Sequence, residues 1–266
     1  MKTTGLKGYS QPRDRTGNHA LWHGIPWTFQ GNSVTVFLQL DELDWIRNVL
    51  PNGFSPHSGL VRLTSHYMTC TFGRDLEWAY RNPNLSQFHE AVVACEVEYE
   101  GRVGHYDPYC WTYNDAEMAE AREGLGWPMR YGEISQTNPP INGWSAGCHA
   151  AVVVSRYNRA VYEMNVSLEA EGDLPAAGLA AEHPDFFACR MLPRMWEPGV
   201  TDVHVTVAEM GEFKVGDFWH GPATVKFTAP ELDGLQDAKV LGGRVNWHYF
   251  EKTGAKLIDH FVEGEG

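Results

Sequence analysis

Three things are scarce in this sequence. Nowhere do about 20 apolar residues follow one another, which excludes a membrane-spanning helix. Basic residues are in deficit, with 21 Lys and Arg against 34 Asp and Glu and a formal net charge of -13. That balance counts against nucleic acid or an anionic membrane as partner, because phosphates require a basic face. Cysteine is sparse and unpatterned: Cys70, Cys95, Cys110, Cys148 and Cys189 include no C-x-x-C pair, so neither a disulfide framework nor a zinc ribbon is indicated. The opening MKTTGLKGYSQPRDRTGNH carries charge with no apolar run behind it, so no secretory signal is expected and the expected location is cytoplasmic. The N-x-S/T sequences at Asn84 and Asn165 would matter only to an exported chain.

What is abundant is alternation. In SVTVFLQL (33–40), Val34, Val36, Leu38 and Leu40 share one face of a strand, and DELDWIRNVLP then takes helical spacing until Pro51. LVRLTSHYMTCTF (60–72) and EAVVACEVEYEGRVGHYDPYCWTY (90–113) read as strands, the second as a pair turning at Glu100-Gly101. HAAVVVSRYN, RAVYEMNVSLEA, TDVHVTVAEM, PATVKF, AKVLGGRVNWHYF and AKLIDHF continue the pattern. About ten strands with a few short helices and no regular β-α alternation predict a mainly β (α+β) fold with a closed antiparallel sheet. No repeat or linker interrupts it, so residues 1–266 are read as one domain with residues 1–30 as an N-terminal arm.

NDAEMAEAREGLGWPMR (114–130) has its own logic. Asn114 caps a helix, Asp115 and Glu117 lie near its positive end, and Met118, Ala121 and Leu125 form an apolar stripe. Gly124 and Gly126 let the chain leave the helix and Pro128 keeps it from resuming. This stretch resembles the signature of the acetoacetate decarboxylase family, Gly-Arg-Glu followed by aromatic-Pro-Lys-Lys, here Ala121-Arg122-Glu123 and Trp127-Pro128-Met129-Arg130. FWHGPATVKF resembles the family's Trp-x-Gly-Pro strand opening, and the likeness extends over about residues 30 to 262. It implies the family's large β-barrel with an enclosed pocket, assembled as a homo-oligomer.

The family's reaction uses a lysine amine that forms an imine with a ketone, its pKa lowered by a neighbouring cation and an apolar setting. Met129 and Arg130 stand where the two lysines would be, and a thioether forms no imine. Lys214, Lys226, Lys239, Lys252 and Lys256 are expected on late strands or turns, away from the site. The resemblance places the family's acid-base glutamate at Glu90, its arginine near the first strand at Asn32, and a glutamate of the LVR strand at Thr64. His66 shares a strand face with Thr64 and is a further acid-base candidate. Arg130 is open to two readings, as a binder of substrate oxygen or as the structural partner of a carboxylate. Trp127 and Met129, with the many aromatic residues, suggest a pocket for a larger, apolar or aromatic ligand. His19 and His23 have i, i+4 spacing, but the flanking Gly17, Gly24 and Pro26 oppose the helix a metal pair would need. No metal or cofactor is expected.

The expected partner is therefore a small carbonyl or carboxylate compound. The expected chemistry is acid-base and enolate-stabilising catalysis on an oxo or β-oxo acid without a lysine imine. A barrel that only binds such a ligand remains the alternative.

Overall fold

The alternation along β1 (Trp27–Gln39) decides the architecture, because its two faces meet different surroundings. The computed structural model describes residues 5–7, 13–16, 24–72, 76–174 and 185–264. Val34, Val36 and Leu38 face the main apolar core, whereas Ser33 and Thr35, one residue out of phase, face an internal cavity. Each fully buried Val or Leu in such a core contributes about 1.5–3 kcal/mol.

Next come α1 (Asp44–Val49), β2 (Phe54–Phe72), α2 (Leu76–Arg81), α3 (Pro83–Ser86), β3 (Gln87–Tyr99) and β4 (Arg102–Thr112). The β3–β4 hairpin turns at Glu100 (φ 49°) and Gly101 (φ 77°), two left-handed positions that suit the twist of paired strands. After α4 (Asp115–Ala119) the helix widens into a π-helical segment, Glu120–Leu125, where a simple α-helix was expected. Asn114 caps it as predicted, its side chain accepting from the Glu117 amide at 2.9 Å, and Gly126 (φ 97°) ends it. The remaining strands are β5 (Met129–Tyr131), β6 (Glu133–Gln136), β7 (His149–Arg156), β8 (Arg159–Ser167), β9 (Ala170–Glu171), β10 (Asp185–Pro193), β11 (Val200–Gly221), β12 (Ala223–Phe227) and β13 (Lys239–Gly264).

Strands β10, β11, β13, β1, β2, β3 and β4 pair in that order, and β4 pairs back with β10, so the sheet returns on itself as a ring. The expected all-antiparallel pairing is corrected at two places: β4 runs parallel to β10 and to β5. A second sheet, β12-β8-β7-β6, lies against the ring and contributes Ala150, Val152, Val154, Tyr162, Met164 and Val166 to the main core. The chain is thus mainly β, as predicted, with its largest apolar core between the ring and this second sheet. That placement leaves the ring interior for a site. No helix among the described residues is long and apolar enough to cross a membrane.

Candidate active site

Strand alternation delivers the same face of five strands to one cavity of about 180 Å³. From β2 come Arg62, Thr64, His66 and Met68, from β1 Phe29, Ser33 and Thr35, and from β3 Glu90, Val92 and Ala94. β13 adds Arg244, Asn246, His248, Phe250 and Lys252, every second residue of NWHYFEK and the stretch before it, and β4 adds Asp107. Glu117 and Trp127 enter from the segment between β4 and β5. Phe186, Met210, Phe213 and Val215 make one part of the wall apolar.

Ser33 sits between two histidines, its hydroxyl 2.8 Å from Nδ1 of His66 and 2.8 Å from Nδ1 of His248. The rings stand edge to face, with centroids 5.0 Å apart. Burial holds both below the ordinary imidazole range, His248 down to about 4, and the neighbouring His248 and Arg62 further disfavour charge on His66. With both rings neutral, the hydroxyl donates to one Nδ1 and accepts from the other, so the two histidines carry opposite tautomers. When a proton enters at the Nε2 of one ring and another leaves the Nε2 of the other, both hydrogen bonds reverse and the tautomers exchange, which is how the group can relay a proton.

Lys252 is fully buried, its ammonium 3.7 Å from a Glu120 carboxylate oxygen and over the rings of Trp127 (4.3 Å), Phe29 (4.8 Å) and Trp27 (5.3 Å). Glu117 and Glu120 come from the helical segment and Glu90 from β3, so three carboxyls act on one ammonium. Burial raises all three above the usual carboxylate range, Lys252 opposes the rise, and Glu117 adds to it for the other two. One ionised carboxyl is enough to balance Lys252. The three carboxyls therefore titrate as a group, with burial favouring their protonated forms.

This arrangement fixes the sign of a pH effect. Glu120, pushed up to about 8, is neutral in the fold and ionised in the unfolded chain above the ordinary carboxylate range, so folding takes up a proton. The histidines oppose this while the unfolded imidazoles hold protons that the fold does not, an effect that fades above about pH 7.5. From about pH 7.5 to 8, stability is expected to fall as pH rises, with Glu120 alone contributing at most about 1.4 kcal/mol per pH unit. Thermal denaturation across that range tests it. Glu120→Gln should flatten the slope, and an unchanged slope would contradict the assignment.

Arg62 faces the cavity with no hydrogen-bonded partner among the described residues, and burial lowers its pKa from the ordinary value. Burial lifts Asp107 to about 6 while Arg62 pulls it back. A desolvated guanidinium with unused donors is suited to grip a carboxylate. Arg244, by contrast, is engaged with Asp173 at 2.5 Å and stacks on Phe37 and Phe218.

Of the residues predicted from sequence, Glu90, His66, Thr64 and Trp127 meet in this cavity, and Glu90 and His66 are register partners on adjacent strands. The other three lie elsewhere. Asn32 is one residue out of phase with Ser33 and faces outward beside Trp247, since a slip of one residue reverses a strand's faces. Met129 packs with Val92, Cys110 and Ala121. Arg130 pairs with Glu231 at 3.6 Å and covers the Tyr109 ring at 4.9 Å, which matches the structural reading left open for it. The expectation that Lys252 stands away from the site is overturned by its place in the wall. Sequence reasoning also missed Ser33, Arg62, Asp107, Glu117, Glu120 and His248; Arg62 was legible, two residues before Thr64 on the same face. His19 and His23 lie outside the described residues, and among the described residues no three His, Cys, Asp or Glu side chains are grouped to hold a metal.

A sheet ring around a cavity of buried acids, histidines and cations defines an enzyme-like small-molecule site rather than a packed β core. Residues 13–258 match the family described as acetoacetate decarboxylase (ADC), and the chain belongs to that family. Among solved structures it is similar to an acetoacetate decarboxylase-like enzyme from Sphingomonas wittichii RW1, with TM-score 0.86 and 20% identity over 96% of this chain and 100% of that one. It is also similar to the enduracididine biosynthesis enzyme MppR complexed with pyruvate, with TM-score 0.82 and 23% identity over 96% and 98% of the two chains. For the acetoacetate decarboxylase from Legionella pneumophila the TM-score is 0.75 at 14% identity, over 98% and 99%. At these identities the likeness is one of fold. No protein of curated function matches the sequence.

Proposed function

We propose that this chain is an enzyme that activates a small oxo acid by moving a proton next to its carbonyl, without forming a lysine imine. The observation that carries this reading is the meeting of Arg62, Glu90 and the His66–Ser33–His248 group in one cavity. Arg62 binds the substrate carboxylate. Glu90, raised above the usual carboxylate range by burial and by Glu117, transfers the proton. Hydroxyl and imidazole donors around Ser33 stabilise the enolate oxygen, the preorganised electrostatic role. Enolisation of this kind is the shared first step of aldol addition, dehydration, cyclisation and isomerisation, and the apolar wall at Phe186, Met210 and Phe213 suits a second, larger reactant or substituent.

Imine-free chemistry is supported by Met129 at the family's lysine position and by the engagement of Lys252 with Glu120 and three aromatic faces. An imine requires a free neutral amine. Pyruvate, the ligand named for the MppR complex, is the natural first probe. In D2O the protein should catalyse exchange of the pyruvate methyl hydrogens, and borohydride should leave no covalent adduct. A reduced adduct on Lys252 would replace this reading with a relocated imine. Saturable binding of oxo acids without exchange would favour the non-catalytic alternative.

A further inference from the structure

A second chamber lies on the outside of the ring, away from the acid-lined cavity. Its volume is about 370 Å³, and its walls include Trp144, Trp219, Trp247, Glu171, Asp217 and Asn32. The strand register builds it. Trp247 lies between Asn32 of β1 and Gly216 of β11, and Trp219 lies opposite Glu171 of β9. A Cβ at Gly216 would fall 2.8 Å from Trp247 Nε1, so the glycine leaves room for the indole to lie across the strand. The irregularity between Gly216 and Trp219 sets Asp217 (φ 52°) at the chamber wall, and the β6–β7 connection supplies Pro139, Gly143 and Trp144.

Two features of this lining agree on the chemistry of a ligand. Indole faces attract cations through the ring quadrupole, and tryptophan does so best. Glu171 and Asp217 add negative charge, while no Lys or Arg among the described residues lines the chamber to neutralise them. We propose that this outer chamber is a binding site for a small organic cation, an alkylated ammonium compound.

The test is calorimetric titration of the full chain with choline and with 3,3-dimethylbutan-1-ol, its uncharged carbon isostere. Choline should bind one to one and about tenfold tighter than the isostere, the scale of a partly desolvated cation–π site. Glu171→Gln with Asp217→Asn, both at exposed positions, should erase most of that preference, and Trp219→Leu should weaken choline itself. Arg62→Met, in the inner cavity, should leave choline binding unchanged. Equal affinity for the two ligands, no saturable binding, or loss of choline through Arg62→Met instead of the outer substitutions would overturn the assignment.

Discussion

Glu90→Gln should lower pyruvate hydrogen exchange by about 10²–10⁴-fold, the usual contribution of a positioned general acid or base. Glutamine keeps the size of the side chain and its capacity to accept a hydrogen bond, but it cannot take up or release a proton in this range. Pyruvate affinity should therefore stay within a few-fold of wild type, separating the effect from a binding defect. Stability offers a second check. Because burial and Glu117 make ionised Glu90 costly, the variant should unfold no earlier than wild type above neutral pH. Full exchange activity with a normal melting temperature would remove Glu90 from the reaction.

Arg62→Met should weaken pyruvate binding by roughly tenfold to 150-fold, from loss of a charged hydrogen bond contributing about 1.5–3 kcal/mol. The neutral analogue pyruvamide should be nearly unaffected, because methionine replaces the alkyl stem and removes only the guanidinium. Asp107 responds as well. Its carboxyl, at about 6 beside Arg62, should move further upward without that cation, so it adds no new negative charge to repel the substrate near neutrality. Isothermal titration with both ligands distinguishes these outcomes. Equal weakening of pyruvate and pyruvamide would point to a packing role for Arg62 and away from carboxylate recognition.

Much of the ring and part of the site could be read from the sequence. The shared face of Thr64 and His66 followed from alternation in LVRLTSHYM, and Glu90 followed from the family resemblance around residues 90 to 130. The rest depended on features that no local pattern contains. The sequence reads AKVLGGRVNWHYF and AKLIDHF as two strands, whereas one strand, β13, continues from Lys239 to Gly264 with irregularities in its pairing to β11. That continuity carries Lys252 into the wall. Glu117 looked like a residue answering the positive end of a helix, and only the closing of the ring over that helix shows it to be buried beside a cation. Asn32 failed by one residue, the smallest error a strand permits and one that reverses inside and outside.

The pairing of β1 with β13, from Trp27 opposite Lys252 to Gln39 opposite Lys239, also governs when the site comes into being during synthesis. β1 leaves the ribosome well before its partner, with β2 to β12 synthesised between them. Until β13 emerges, β1 carries an unpaired edge, and the cavity lacks His248, Asn246, Arg244 and Lys252 together. The nascent chain can form the β2–β3–β4 meander from contacts near in sequence, but closure is a late, long-range event of the kind that slows folding and exposes strand edges. A ribosome-bound chain stopped before residue 239 should thus hold Glu90 on a folded hairpin and yet have no enclosed pocket in which to use it.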